Sequence, residues 1–187
     1  MKTSTLKLKL SLACVCLLCV VTSAMAQQRE GTSACAGLGE QAERKYDRFK
    51  DQTTTTLKSR KLLQTKSPSE ELTVSVEATT KGEGKGHPKE VVLLFTSEAE
   101  RWRYYEEAEA VFIVDGRRVE VGKAYATDTL PGPRSIKEKL KLTIPFEKFT
   151  QIIGGKRVDM KLGPTELQLT EETLGSLRAF ASCVTGS

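Results

Sequence analysis

Three patterns in the sequence predict an α+β domain. Leu72, Val74, Val76 and Ala78 alternate with polar residues, as do Leu140, Leu142 and Ile144, which is the period of half-buried strands. Asp115-Gly116 joins two β-rich runs, a pair whose residues both accept the positive φ of a tight hairpin. Leu174, Leu177, Ala181 and Val184 recur at helical spacing behind Thr170, a residue able to cap a helix. Strands mostly follow strands, so the expected architecture is a largely antiparallel sheet, or a partly closed barrel, of seven to nine short strands with N-terminal and C-terminal helices.

The chain of 187 residues opens with a segment of a different kind. Lys2, Lys7 and Lys9 precede an apolar run from Leu10 to Val21, and Ala24-Met25-Ala26 follows. A basic start, a short apolar stretch and a small-x-small site read as a secretory signal peptide over 1–26, with cleavage before Gln27. The run is shorter than the roughly 20 apolar residues a membrane span needs, so no transmembrane segment is expected after cleavage. Residues 27–35 read as a loose tail, and 36–187 as one globular domain.

Cleavage changes the charge and cysteine counts. Of 29 basic residues three are lost, leaving 26 against 24 acids. That balance gives no basic excess for nucleic acid to recognise. Cys14, Cys16 and Cys19 leave with the leader, and Cys35 and Cys183 remain. In an oxidising compartment such a pair is expected to join. The chain contains no Asn, which excludes N-glycosylation sequons.

Taken in order, Leu38, Ala42, Tyr46 and Phe49 suggest an amphipathic helix over 36–52. The β-branched run Thr53–Thr56 ends it and opens a strand over 53–63. Ser67-Pro68-Ser69 reads as a turn, and 72–78 as a strand with one wet face. Lys81 to Lys89 is a Gly-rich loop. Val91 to Phe95 is continuously apolar, as in a central strand covered on both sides. Glu98 to Glu100 reads as a turn. Trp102 and Tyr104 then alternate with Arg101, Arg103 and Tyr105, which predicts a strand with the first two inward. After the hairpin at Asp115-Gly116, Thr127 to Ser135 reads as a long loop. Lys137, Lys139 and Lys141 form a basic row on the wet face of the next strand. Pro145 can open a helix bearing Phe146, Phe149 and Ile153, and Gly154-Gly155 can close it. Val158, Met160 and Leu162 form a strand, Gly163-Pro164 turns the chain, and Leu167 and Leu169 return it. Glu171 and Glu172 suit the first turn of the last helix.

No catalytic motif emerges, and no catalytic residue, metal site or cofactor is expected. His87 is the single histidine. Its loop lacks the GK[ST] signature and the following helix that a phosphate site requires. Glu98, Glu100, Glu106, Glu107 and Glu109 are too sparse in Asp, Asn and Gly for a calcium loop. The most concentrated recognition chemistry is Arg101, Arg103 and Tyr105, because arginines and aromatics populate binding hot spots. The sequence therefore predicts an exported, non-enzymatic domain that binds a protein or small-molecule partner. One alternative is a carrier of a small apolar ligand inside a barrel-like cavity. A more remote one is a hydrolase built on two of Asp115, Asp128, Glu147 and Asp159.

Overall fold

A computed structural model describes residues 35–66, 69–84, 86–104 and 107–186. The leader over 1–26, most of the tail and the Ser67-Pro68 turn lie outside the described residues.

Nine strands form one open antiparallel sheet in the order β1-β2-β3-β4-β7-β6-β5-β8-β9. They are β1 (Ala42–Asp47), β2 (Gln52–Lys66), β3 (Ser69–Lys81), β4 (Glu90–Ala99), β5 (Glu107–Val114), β6 (Arg117–Pro131), β7 (Ile136–Pro145), β8 (Val158–Leu162) and β9 (Thr165–Gln168). Two helices, α1 (Phe146–Ile153) and α2 (Glu171–Thr185), follow β7 and β9. The first four strands form a meander. The chain then crosses β7 and β6 to reach β5, and β6 and β7 fill in behind it.

Both helices contribute buried apolar residues to one core with the sheet. Leu72, Val74, Val76 and Ala78 of β3 are buried, as are Leu140, Leu142 and Ile144 of β7. Their cover comes from Phe149, Ile152 and Ile153 of α1 and Leu174, Leu177 and Phe180 of α2. Phe149 meets Phe180 edge-to-face at 6.2 Å, the arrangement ring quadrupoles favour. The C-terminal helix differs from its sequence reading in one position, because Phe180 is buried where Ala181 is only partly so. Thr170 caps it, accepting the Thr173 N–H at 3.1 Å. Pro145 sits one residue before α1, at its N-cap, with extended ψ. Cys35 is bonded to Cys183, tying the start of the domain to the end of α2.

The expected helix over 36–52 is not formed. Ala36–Gln41 is a short 3-10 helix, and β1 follows directly. The apolar spacing that suggests a helix continues to Phe49, but the chain pairs with β2 from Ala42 onward, and Asp47 turns it at the end of β1. Its carboxylate accepts the N–H groups of Phe49 at 2.9 Å and Lys50 at 3.3 Å, a local turn that competes with helical bonding. Asp51, at φ 48°, completes the reversal. β1 then pairs with the threonine-rich start of β2.

Three further expectations are corrected. Val91–Phe95 is covered on one side only: Val91, Leu93 and Phe95 are buried, while Val92 and Leu94 are half-buried on the face opposite the helices. The connection expected over 127–135 is shorter, because β6 runs on to Pro131 and the Gly132 N–H donates to the Ser135 carbonyl at 2.7 Å. The segment 100–104 forms no strand.

Candidate binding surface

The aromatic–arginine segment is built around two buried acids. Arg103 donates to both Glu70 oxygens, from Nε at 3.1 Å and Nη2 at 2.6 Å. Such a bidentate pair fixes orientation as well as charge. Glu138 is 1% exposed, and its carboxylate accepts the backbone N–H groups of Arg103 at 2.8 Å and Tyr104 at 3.1 Å. Tyr104 is buried, its hydroxyl 2.8 Å from Thr165 Oγ1, and burial raises its pKa. This clasp positions the chain as it leaves β4 for β5.

Of the residues singled out for recognition, Arg103 is thus drawn into an internal ion pair, Arg101 is exposed, and Tyr105 lies outside the described residues. Trp102, expected inward, is 48% exposed. The two-residue alternation fails because backbone held by Glu138 carboxylate bonds has no pleat. Glu70 and Glu138 carry no motif in the sequence. The one signal for Glu138 is its place among Leu140, Leu142 and Ile144 on the inward-facing period.

A surface groove of about 600 Å³ lies elsewhere, across β6, β5, β8 and β9. Ile113 lines it and is 43% exposed, next to Val111. Charged residues line it too. Arg118 pairs with Glu120 at 3.0 Å and Glu109 at 3.8 Å, and Lys161 pairs with Glu166 at 2.6 Å. The register explains the grouping. Ile113 lies between Arg118 on β6 and Asp159 on β8, and Val111 between Glu120 and Lys161. A bulge at Ala110/Val111, opposite Gly122 at φ 101°, adds a residue to the hairpin. Such bulges bend a strand and re-aim its side chains.

The carboxylates considered for hydrolysis have other duties. Asp115 lies in the hairpin turn at φ 50° and accepts the N–H groups of Lys156 at 3.0 Å and Arg157 at 2.9 Å. Those backbone bonds hold its pKa below the ordinary value. Asp128 accepts from Lys139 Nζ at 2.8 Å, which lowers its pKa too. Asp159 pairs with Arg157. Glu147 stands in the first turn of α1. The acidic stretch is dispersed: Glu98 binds Ser135 and Lys137, Glu107 binds Lys123, and Glu106 lies outside the described residues. Among the described residues no three His, Cys, Asp or Glu are grouped to hold a metal.

The basic row lies inside the sheet, since β7 sits between β4 and β6, and Lys137 and Lys139 are paired with acids there. The Gly-rich loop is anchored at three points. The Gly82 N–H donates to the Asp51 carbonyl, Arg44 donates to the Gly84 carbonyl, and the Gly86 N–H donates to the Val184 carbonyl. His87 is exposed on it, and a strand rather than a helix follows. No protein-family model, curated protein or solved structure matches the chain significantly, so geometry and chemistry carry the functional reading.

Proposed function

We propose that this chain is an exported, non-enzymatic domain, released by cleavage before Gln27, that acts by binding a protein partner through the groove around Ile113. The observation that carries the reading is the exposed Ile113, with the largely buried Val111 beside it at the groove floor, set in a ring of paired charges. An apolar centre with a polar rim is the usual anatomy of a binding surface. The Cys35–Cys183 bridge fits an oxidising compartment. Among the described residues no helix is long and apolar enough to cross a membrane.

Two features favour binding over chemistry. The shifted surface carboxylates Glu98, Asp115 and Asp128 are all lowered, and Lys123 is raised. Those directions lock groups in their charged forms, whereas acid–base work near neutral pH needs the opposite. One apolar void between sheet and helices measures about 20 Å³, well short of the roughly 300 Å³ at which small-molecule pockets begin. That size supports surface binding over the carrier reading. A second site is favoured by one observation: Arg101 and the half-exposed Trp102 stand side by side at the surface.

The test places a photo-crosslinking amino acid at Ile113, Arg101 or Thr79 in the exporting cells. A discrete adduct from Ile113, absent from Thr79, is expected. An adduct from Arg101 alone would move the site to the second position. No adduct from either would contradict the binding reading.

A further inference from the structure

We propose that residues 58–63 of β2 form a second, separate docking edge that takes an extended acidic peptide as an added strand. β1 pairs with β2 only as far as Ala42 opposite Leu57, whereas β2 continues to Lys66. Before Ala42 the chain forms the 3-10 helix, and its Cys35 is tied to α2. Among the described residues, the outer side of 58–63 therefore has no neighbouring strand. A free row of backbone donors and acceptors is a template for another strand.

Charge selects the occupant. Lys58, Arg60 and Lys61 fall within this short stretch, which contains no acid, while from neighbouring segments Glu71 on β3 stands 3.7 Å from Lys61 and Gln41 accepts from Arg60. A second copy of the chain would set bases opposite bases, which opposes self-pairing. An acidic strand would meet complementary charge along the same edge. Two features give such a strand more than backbone bonds. Leu62 and Leu63 are half-buried against the core. A groove of about 480 Å³ runs from them to Thr170 and Thr173 at the start of α2. Glu172 also lines this groove, as the one acid among its described lining. The bulges at Leu57/Arg60 and Lys61/Leu63 add residues to β2 against β3, and so bend the edge out of the plane of the sheet.

The probe is a synthetic heptapeptide alternating Glu and Val, with a Lys/Val heptapeptide and a Glu/Val peptide carrying a central Pro as controls. Binding is followed by fluorescence anisotropy, and amide exchange locates it. The Glu/Val peptide is expected to bind, to slow exchange within 58–63, and to weaken with salt. Lys58→Glu/Lys61→Glu should weaken it roughly tenfold or more, with the melting temperature of each protein measured to establish that it is folded. The proposal is overturned by no binding of the Glu/Val peptide, or by equal binding of the Lys/Val or Pro peptide. It is also overturned by protection outside 58–63. Slow exchange, in the protein alone, at those amides of 58–63 that point away from β3 would overturn it too, because the edge would already be covered. These outcomes are independent of the Ile113 crosslink, so the two sites fail separately.

Discussion

Glu138 is the buried acid that holds the backbone as the chain leaves β4. A carboxylate 1% exposed is tolerable because two backbone N–H groups and the neighbouring clasp satisfy it. Glu138→Ala removes the acceptor and leaves both amides to find another. Hydrogen bonds to a charged group contribute about 1.5–3 kcal/mol each, so the variant should lose about 3 kcal/mol or more in urea unfolding. Tyr104→Ala should cost about 3–5 kcal/mol, as for other large buried aromatics. Trp102→Ala should cost clearly less, because the indole is half exposed. Equal losses from the two aromatics would restore the alternating register that the sequence suggests and reject the clasp.

At the scale of elements, the Asp115-Gly116 hairpin offers a test of electrostatics. Asp115 has a pKa below its unfolded value because the Lys156 and Arg157 amides donate to it. A lowered folded pKa means a contribution fully present above about pH 4 and lost as pH falls through the folded pKa. Asp115→Asn keeps a residue suited to positive φ but removes the titrating charge. Acid unfolding of the variant should therefore show a shallower loss of stability below about pH 4 than the parent. An unchanged acid limb would place the dependence elsewhere. Gly116, at φ 82°, should not accept a side chain freely. Gly116→Val should destabilise the hairpin by about 1 kcal/mol or more.

The elements that were legible in the sequence are those whose pattern is local. Strands 72–78 and 140–144 declare their buried face by alternation. The hairpin declares itself by two residues, and α2 by its cap and stripe. The N-terminal helix misleads because Leu38, Ala42, Tyr46 and Phe49 do have helical spacing, yet only Leu38 is buried. What decides that segment is its pairing with β2, a tertiary fact. Val91–Phe95 misleads because apolar content alone does not say how many sides of a strand are covered. The candidate groove was not legible at all. Ile113 is one apolar residue among several in its strand, and its partners Arg118, Asp159 and Lys161 are brought to it by the β6-β5-β8 order.

At the scale of the whole molecule, the disulfide and the two-sided sheet set the terms. Cys35 and Cys183 are 148 residues apart and both belong to the core cluster or pack against it. Free-thiol labelling of the unfolded, unreduced protein should find no reactive thiol among the mature cysteines, and two labelled cysteines would reject the bridge. Closing a loop of this length restricts the unfolded chain by at most about 5 kcal/mol, so Cys35→Ser/Cys183→Ser should melt at a clearly lower temperature.

The helix-covered face is core, and the opposite face is where a partner can reach Ile113. Hydroxyl-radical footprinting of the protein, in its native setting and purified, measures that division of labour directly. The account predicts protection in the native setting centred on the exposed Ile113 and on Asp159 and Lys161 beside it, with the outer surfaces of α1 and α2 unchanged. Protection confined to the helices, or no difference between the two states, would contradict it.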